Sequence, residues 1–423
     1  MTGLAGGGHA IWFGGATGEA RLLDFFVTVP AVHPDRAVTA LEDVGVPFGD
    51  EIVHYQVGIA SCAVPGVPAG LDELWRAQGR LPWARLVEPA LELARSGVEM
   101  PRAHAECLAM LAPVMTLREG ARIYAPGGEL LQAGDRLEQP GLANALELLR
   151  DEGARTFYDG TVAETLVALM HEREGPLSRA DLEDYTPFWL EPVETEYLGC
   201  RVLTRGGLSQ LVTTLSALPT LRGKPAAERA LTLAGVLDAP PYSGQGEQIG
   251  DTTNLVTVDP DGNACVVTTS LGLGSGDFLP GLDVHLNSML GEVDLRVGPL
   301  EAGSRMESMM SPTLLVDSNG LAIAAGAAGG TRLRPALVQV LSGILDEGLE
   351  PQPAIDRPRL HSAGEIVRIE PGFDEEVLVA LEDAGYDVRR FSALHHYFGG
   401  VSLLARNGGA ADPRRSGAAL ALP

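Results

Sequence analysis

"GDTTNLVTVDPDGNACVVTTS", residues 250–270, decides how the chain is read. Two runs rich in β-branched residues, 252–258 and 264–270, flank the turn signal "PDGN" at 260–263, so the stretch is a β-hairpin. It opens on two threonines directly after Asp251. Hydroxyls there have a plain explanation, because threonine is common in strands. They also have a chemical one, because a threonine hydroxyl becomes a nucleophile when a base lies within hydrogen-bond reach. If the bond between Asp251 and Thr252 is cut, the new α-amino group of Thr252, with a pKa of about 7.7–8.0, is such a base. One residue then supplies both groups.

Directly upstream, "LTLAGVLDAPPYSGQGEQIGD" (231–251) decays from a short helix into a Pro/Gly/Gln/Ser loop, an exposed linker open to cleavage. Helices dominate before it. "GLDELWRAQGRLPWARLVEPALELARSGVEM" (70–100) has apolar residues at helical spacing, with Pro82 near a helix start, Pro89 splitting or kinking it, and Gly97 as a stop. Residues 101–195 keep that texture in "GLANALELLRDEG" and "GTVAETLVALMHEREG", and "GCRVLTRGG" (199–207) is strand-like. The chain begins abruptly with a glycine-rich turn and an apolar strand, which suggests a missing upstream segment; "EARLLDFFVTVPA" (19–31) continues as a second strand across a hairpin at 14–18.

Downstream come a second strand-turn-strand in "SPTLLVDSNGLAIAAGAAGG", one helix in "RPALVQVLSGILDEG", and a closing loop with a final short strand in "ARNGGAADPRRSGAALALP". His395 and His396 are adjacent on an expected strand, point to opposite faces and make poor metal-ligand geometry. Helices mainly in the first half and antiparallel strands mainly in the second give an α+β layered architecture.

Composition narrows the function classes. With 56 acidic and 31 basic residues, the formal charge of −25 repels nucleic acid and anionic lipid. The four cysteines show no C-x-x-C spacing, so neither a zinc site nor a disulfide framework is indicated, and a reducing compartment is expected. No apolar run has membrane-spanning length and no basic leader opens the chain, so the expected location is the cytoplasm. "GLGSG" follows a strand without opening a helix, which is not a dinucleotide fingerprint, and no cofactor or metal is called for.

In ordered blocks from residue 3 to residue 332 the chain resembles the γ-glutamyltranspeptidase family, self-processing amidases of the N-terminal nucleophile class. The blocks are "GLAGGGHAIWF" with "DFFV", "GRLPWARLVEPALELARSG" (79–97), "DLEDYTPFWLEPV" (181–193), "TTNLVTVDPDGNACV" (252–266), "LGSG" (273–276), "LNSMLGE" (286–292), "SMMSPT" (308–313) and "AAGGTR" (327–332). The resemblance implies an αββα sandwich of two antiparallel sheets flanked by helices. It makes Thr252 the nucleophile exposed by self-cleavage of the Asp251–Thr252 bond, and divides one precursor into a large-subunit region (1–251) and a small-subunit region (252–423). Gly329 and Gly330 match the pair whose N–H groups bind the oxyanion, a role that suits residues without side chains. Ser270 stands where the family has a second threonine, Thr253 keeps a hydroxyl beside the nucleophile, and Asn254 replaces a histidine. The implied activity is γ-glutamyltransferase or glutathione hydrolase, acting on a small acyl-amide through an acyl-Thr252 intermediate.

The departures concern the substrate. Phe26 stands where "DFRE" has an arginine that pairs with the glutamyl α-carboxylate, a planar contact that few groups replace. The block that serves the α-amine keeps Asn287 and Glu292 but has Met289 and Gly291, and of two serines Ser308 remains while Met309 replaces the other. A greasier pocket is expected, in which glutathione fits poorly. The alternatives are an acylase, or a hydrolase of a secondary-metabolite acyl group, and from another class a non-catalytic binding or scaffold relative.

Overall fold

A computed structural model of the chain describes residues 2–31, 38–48, 51–238 and 252–421. The opening hairpin forms: Thr253–Val258 pairs antiparallel with Ala264–Ser270, Thr253 opposite Thr269. In its turn the Asp259 carboxylate accepts the N–H groups of Asp261 at 3.0 Å and Asn263 at 2.9 Å. From the hairpin the sheet grows to five strands, through Gly7–Phe13 and Ala20–Phe25 to Phe188–Leu190. A second sheet has six strands in the order Gly408–Ala411, Gly400–Ala405, Gly320–Ala328, Thr313–Asp317, Cys200–Thr204 and Val193–Tyr197.

Alternation along the strands stacks the layers. Ile11, Phe13, Leu22, Ala264 and Val266 of the first sheet pack on Leu203, Leu314 and Ala324 of the second. The intervening side chains Ala10, Leu23 and Phe25 face outward onto Val67, Leu71 and Leu74 of the helix Val67–Gln78. That helix lies so close that a Cβ on Gly70 would sit 2.1 Å from the Phe25 ring, so only glycine serves there. Leu211–Ala217 and Leu333–Leu345 cover the outer face of the second sheet. The result is helix, sheet, sheet, helix, the α+β sandwich the resemblance implied.

Several local expectations shift. Strands from either side of residue 251 enter both sheets, so helices and strands are not segregated by half. The helix Trp83–Ser96 runs unbroken through Pro89, and the break falls at 79–82 instead. Pro89 is exposed, which leaves water free to satisfy the carbonyl it cannot bond. His396 opens a 3-10 turn, His396–Phe398, and His395 caps it, so neither lies on a strand. The last strand is Gly408–Ala411, and 417–421 has no regular structure. The unanticipated hairpin of Glu42–Phe48 and Glu51–Val57 places Val46, Tyr55 and Val57 against the helix Arg102–Met115. No helix among the described residues is long and apolar enough to cross a membrane. Most of the anticipated linker, with Asp251, lies outside the described residues.

Candidate active site

Strand periodicity carries the candidate residues to one face. Val256, Val266, Ile11, Phe13 and Leu22 meet the second sheet. Positions 252, 254, 268, 270, 7, 9, 24 and 26 share their parity and so face inward as well. Near the hairpin turn this face is apolar, and toward the opposite end it becomes polar. One row crosses the sheet as Asn254, Thr268, His9 and Asp24, with Thr268 donating to Asn254 Oδ1 at 2.7 Å. The next row sets Ser270 opposite Gly7, with Thr252 and Phe26 one residue beyond the paired strands on either side. A Cβ on Gly7 would lie 2.6 Å from the Val27 nitrogen, so this row closes only with glycine.

These strand ends and the loops above them enclose a cavity of about 40 Å³. Eight candidates line it: Thr252, Ser270, Phe26, Met289, Glu292, Ser308, Met309 and Gly330. Thr252 and Ser270 are buried, and Ser270 Oγ accepts the Gly272 N–H at 3.0 Å. On another wall Ser288 Oγ accepts the Leu273 N–H at 3.1 Å and donates to the Glu292 carboxylate at 3.2 Å. Burial, and next the Asp294 carboxylate, push Glu292 up to about 7 against that hydrogen bond. Asp294 lines the same cavity.

Behind Phe26 the electrostatics are spent elsewhere. Its ring stacks on His9 with centroids 5.6 Å apart. Neither His9 ring nitrogen has a hydrogen-bond partner among the described residues; burial first, then Arg205 and Arg305, hold its pKa well below the ordinary value. Asp24 accepts the Phe26 N–H at 3.0 Å and is pushed up by burial. Arg205 donates to the Ser308 carbonyl at 2.7 Å, and Arg305 to the Phe26 carbonyl and Thr28 Oγ1. Both guanidiniums brace backbone, and no lysine, arginine or histidine lines the cavity among the described residues.

The oxyanion candidates sit where the strand Gly320–Ala328 ends. Gly329 (φ 134°) and Gly330 (φ 57°) turn the chain into the 3-10 turn Gly330–Arg332, which runs straight into Leu333–Leu345. The first N–H groups of a helical segment have no acceptor within it and carry the positive end of its dipole. The Gly330 N–H thus has the chemistry to receive a developing oxyanion beside Thr252. Gly329 itself does not line the cavity; a Cβ there would lie 2.9 Å from Gly399 Cα.

Two further candidates stand apart from the cavity. Thr253 lines a separate, larger one, together with Thr252. Asn287 spends its carboxamide on backbone: Oδ1 accepts from Ala63 at 2.9 Å and Met289 at 3.2 Å, while Nδ2 donates to Ala5 at 2.9 Å and Ala63 at 2.8 Å. It holds the 286–292 loop in place rather than lining the cavity. Asp294 and Arg205 were missed, although Asp294 follows Glu292 by two residues and Arg205 lies in the strand-like stretch "GCRVLTRGG". No group of three or more metal-ligating side chains occurs among the described residues.

Comparison with known proteins identifies the family. The sequence pattern of the γ-glutamyltranspeptidase family matches residues 1–233 and 226–422. The chain is 25% identical to the glutathione hydrolase proenzyme of Bacillus subtilis, covering 100% of this chain and 84% of the relative. It is likewise 25% identical to the Acylase ACY 1 proenzyme of Pseudomonas sp. strain V22, covering 96% and 82%. The cephalosporin acylase from Bacillus halodurans shares the fold with a TM-score of 0.80 over 99% of this chain and 88% of that one, at 20% identity. Matched over almost its whole length, the chain belongs to the γ-glutamyltranspeptidase family.

Proposed function

We propose that the protein is a self-processing amide hydrolase or acyltransferase that uses Thr252 as nucleophile on an acyl group other than γ-glutamyl. One observation carries the reading: Thr252 and Ser270 at strand ends of the first sheet and Gly330 just beyond a strand of the second line one cavity. Cleavage before Thr252 would give chains 1–251 and 252–423 and free the α-amine as base. In the reaction the Thr252 hydroxyl proton passes to that amine as the Oγ–C bond forms, with the carbonyl oxygen facing the Gly330 N–H. The proton then goes to the departing nitrogen as the C–N bond breaks. Water, or a second amine, resolves the ester by the reverse proton path.

The acyl group follows from the walls. A γ-glutamyl group brings a carboxylate, and the cavity offers it Phe26, three methionines and two carboxyls but no cation. About 40 Å³ is small beside the roughly 150 Å³ that admits a benzene ring. A short acyl group without a carboxylate fits these walls, which favours the acylase reading over the glutathione hydrolase one.

Mass spectrometry of the purified full-length protein tests the reading. Two fragments splitting before Thr252, absent from Thr252→Ala, together with hydrolysis of short acyl-anilides in preference to γ-glutamyl-anilide, are expected. An intact chain that releases no anilide chromophore would overturn it.

A further inference from the structure

Thr252 is the one described residue that lines both the cavity beside Phe26 and a second one of about 400 Å³. The second lies within the roughly 300–1,000 Å³ usual for small-molecule sites. One of its walls is a face of the helix Arg102–Met115, where positions 103, 104, 107, 108, 111 and 115 recur at helical spacing, and polar residues including Asp283, Arg414 and Arg415 line others. Met100, Leu108, Leu111, Met115 and Leu271 are buried there, and burial of Tyr124 pushes its phenol up to about 12, which keeps it uncharged.

We infer that this larger cavity receives the leaving or accepting amine of the substrate, and that this amine carries a bulky apolar group. The inference rests on the acyl-Thr252 reading. An amide carbonyl held at Thr252 sends its acyl substituent one way and its nitrogen substituent the other. The acyl side is the small cavity, because Gly330 and Ser270, which would hold the carbonyl and support the nucleophile, line that one alone. The nitrogen side then faces a tenfold larger, mostly apolar space. Alternation on the strand supports the partition, because Thr253 points away from the small cavity and into the large one.

Calorimetric binding of aniline, 4-ethylaniline and 4-butylaniline to the purified full-length protein tests this without turnover. Affinity rising about fourfold per added methylene is expected, because each one is withdrawn from water. That gain is lost in Ala103→Phe and Cys107→Phe, whose new rings enter the cavity from partly exposed positions. A butyl-substituted aryl azide, photolysed on the unmutated protein, should label the peptide spanning 100–124. Affinity that does not change along the series, or a label that maps elsewhere, would overturn the inference. Failure of self-cleavage with the alkyl dependence intact would instead sink the acyl-Thr252 reading and leave the cavity as a binding site.

Discussion

Replacing Glu292 with glutamine should stabilise the protein in a pH-dependent way. The native carboxyl titrates at about 7 against 4.5 for the ordinary group, because it is buried and faces Asp294. The native state therefore holds a proton that the unfolded chain has released between these values, and stability falls as pH rises through that window. The penalty is absent well below 4.5 and complete above 7, where it reaches about 3.4 kcal/mol. Between pH 5 and pH 8 it grows by about 2.5 kcal/mol. Glutamine carries no such penalty. Unfolding entropy for a chain of 423 residues is roughly 0.9 kcal/mol per degree, so the Tm advantage of Glu292→Gln should be about 3 °C larger at pH 8 than at pH 5. Thermal unfolding of both proteins at the two pH values measures it. Comparing variant with parent removes other groups that titrate in the window. A Tm difference that is equal at both pH values, or larger at pH 5, would refute the reasoning. Anilide hydrolysis by the stabilised variant should fall, because an acid kept at such a cost in the candidate catalytic cavity is kept for function.

Three further substitutions separate the roles of the site. Gly329→Ala puts a Cβ 2.9 Å from Gly399 Cα at φ 134°, and should cost about 1–3 kcal/mol while shifting the Gly330 N–H; kcat is expected to fall on the order of 10²-fold with KM unmoved. Asn287→Ala removes hydrogen bonds to Ala5, Ala63 and Met289, and should lower Tm by about 4–5 °C in a scanning experiment without changing KM for short acyl-anilides. Phe26→Arg should raise kcat/KM for γ-glutamyl-anilide relative to butyryl-anilide by roughly 10-fold or more, at a loss of Tm from the broken His9 stack and a third guanidinium beside Arg205 and Arg305.

The hairpin half of the candidate site was legible in the sequence because strand geometry is local. Once 252–258 and 264–270 are read as a hairpin about "PDGN", the antiparallel register brings Thr252 level with Ser270, and period-two alternation puts both on the face of Val256 and Val266. The other walls were legible by resemblance alone. Residues 286–310 are positioned by long-range bonds, such as the one from Ala63 to Asn287 across 224 residues, that no periodicity announces. The same holds for Arg205, whose side chain spans to the Ser308 carbonyl. At His395 and His396 an alternating pattern misled, because Phe391, Tyr397 and Phe398 cluster ring against ring and favour a compact turn over an extended strand.

Under the proposed function, that division also explains how the family's chemistry and its substrate come apart in this chain. Thr252 and Ser270 are fixed by the first sheet, and Gly330 by the end of a central strand of the second, so moving any of them would disturb the core between the sheets. Met289, Glu292, Ser308 and Met309 lie instead on the connection between Ala264–Ser270 and Thr313–Asp317, outside the strands of either sheet, although both methionines pack into the core beside the second sheet. Under that proposal, the substrate drifts at these connection residues while Thr252 stays in place. Phe26 is the exception, because it directly follows the strand Ala20–Phe25 of the first sheet and its backbone is tied to Asp24 and Arg305. On the same proposal, a change of side chain at that fixed point redirects specificity while the backbone keeps its place, which is why Phe26 in the position of the family's arginine weighs more than any loop difference in the proposed choice of substrate.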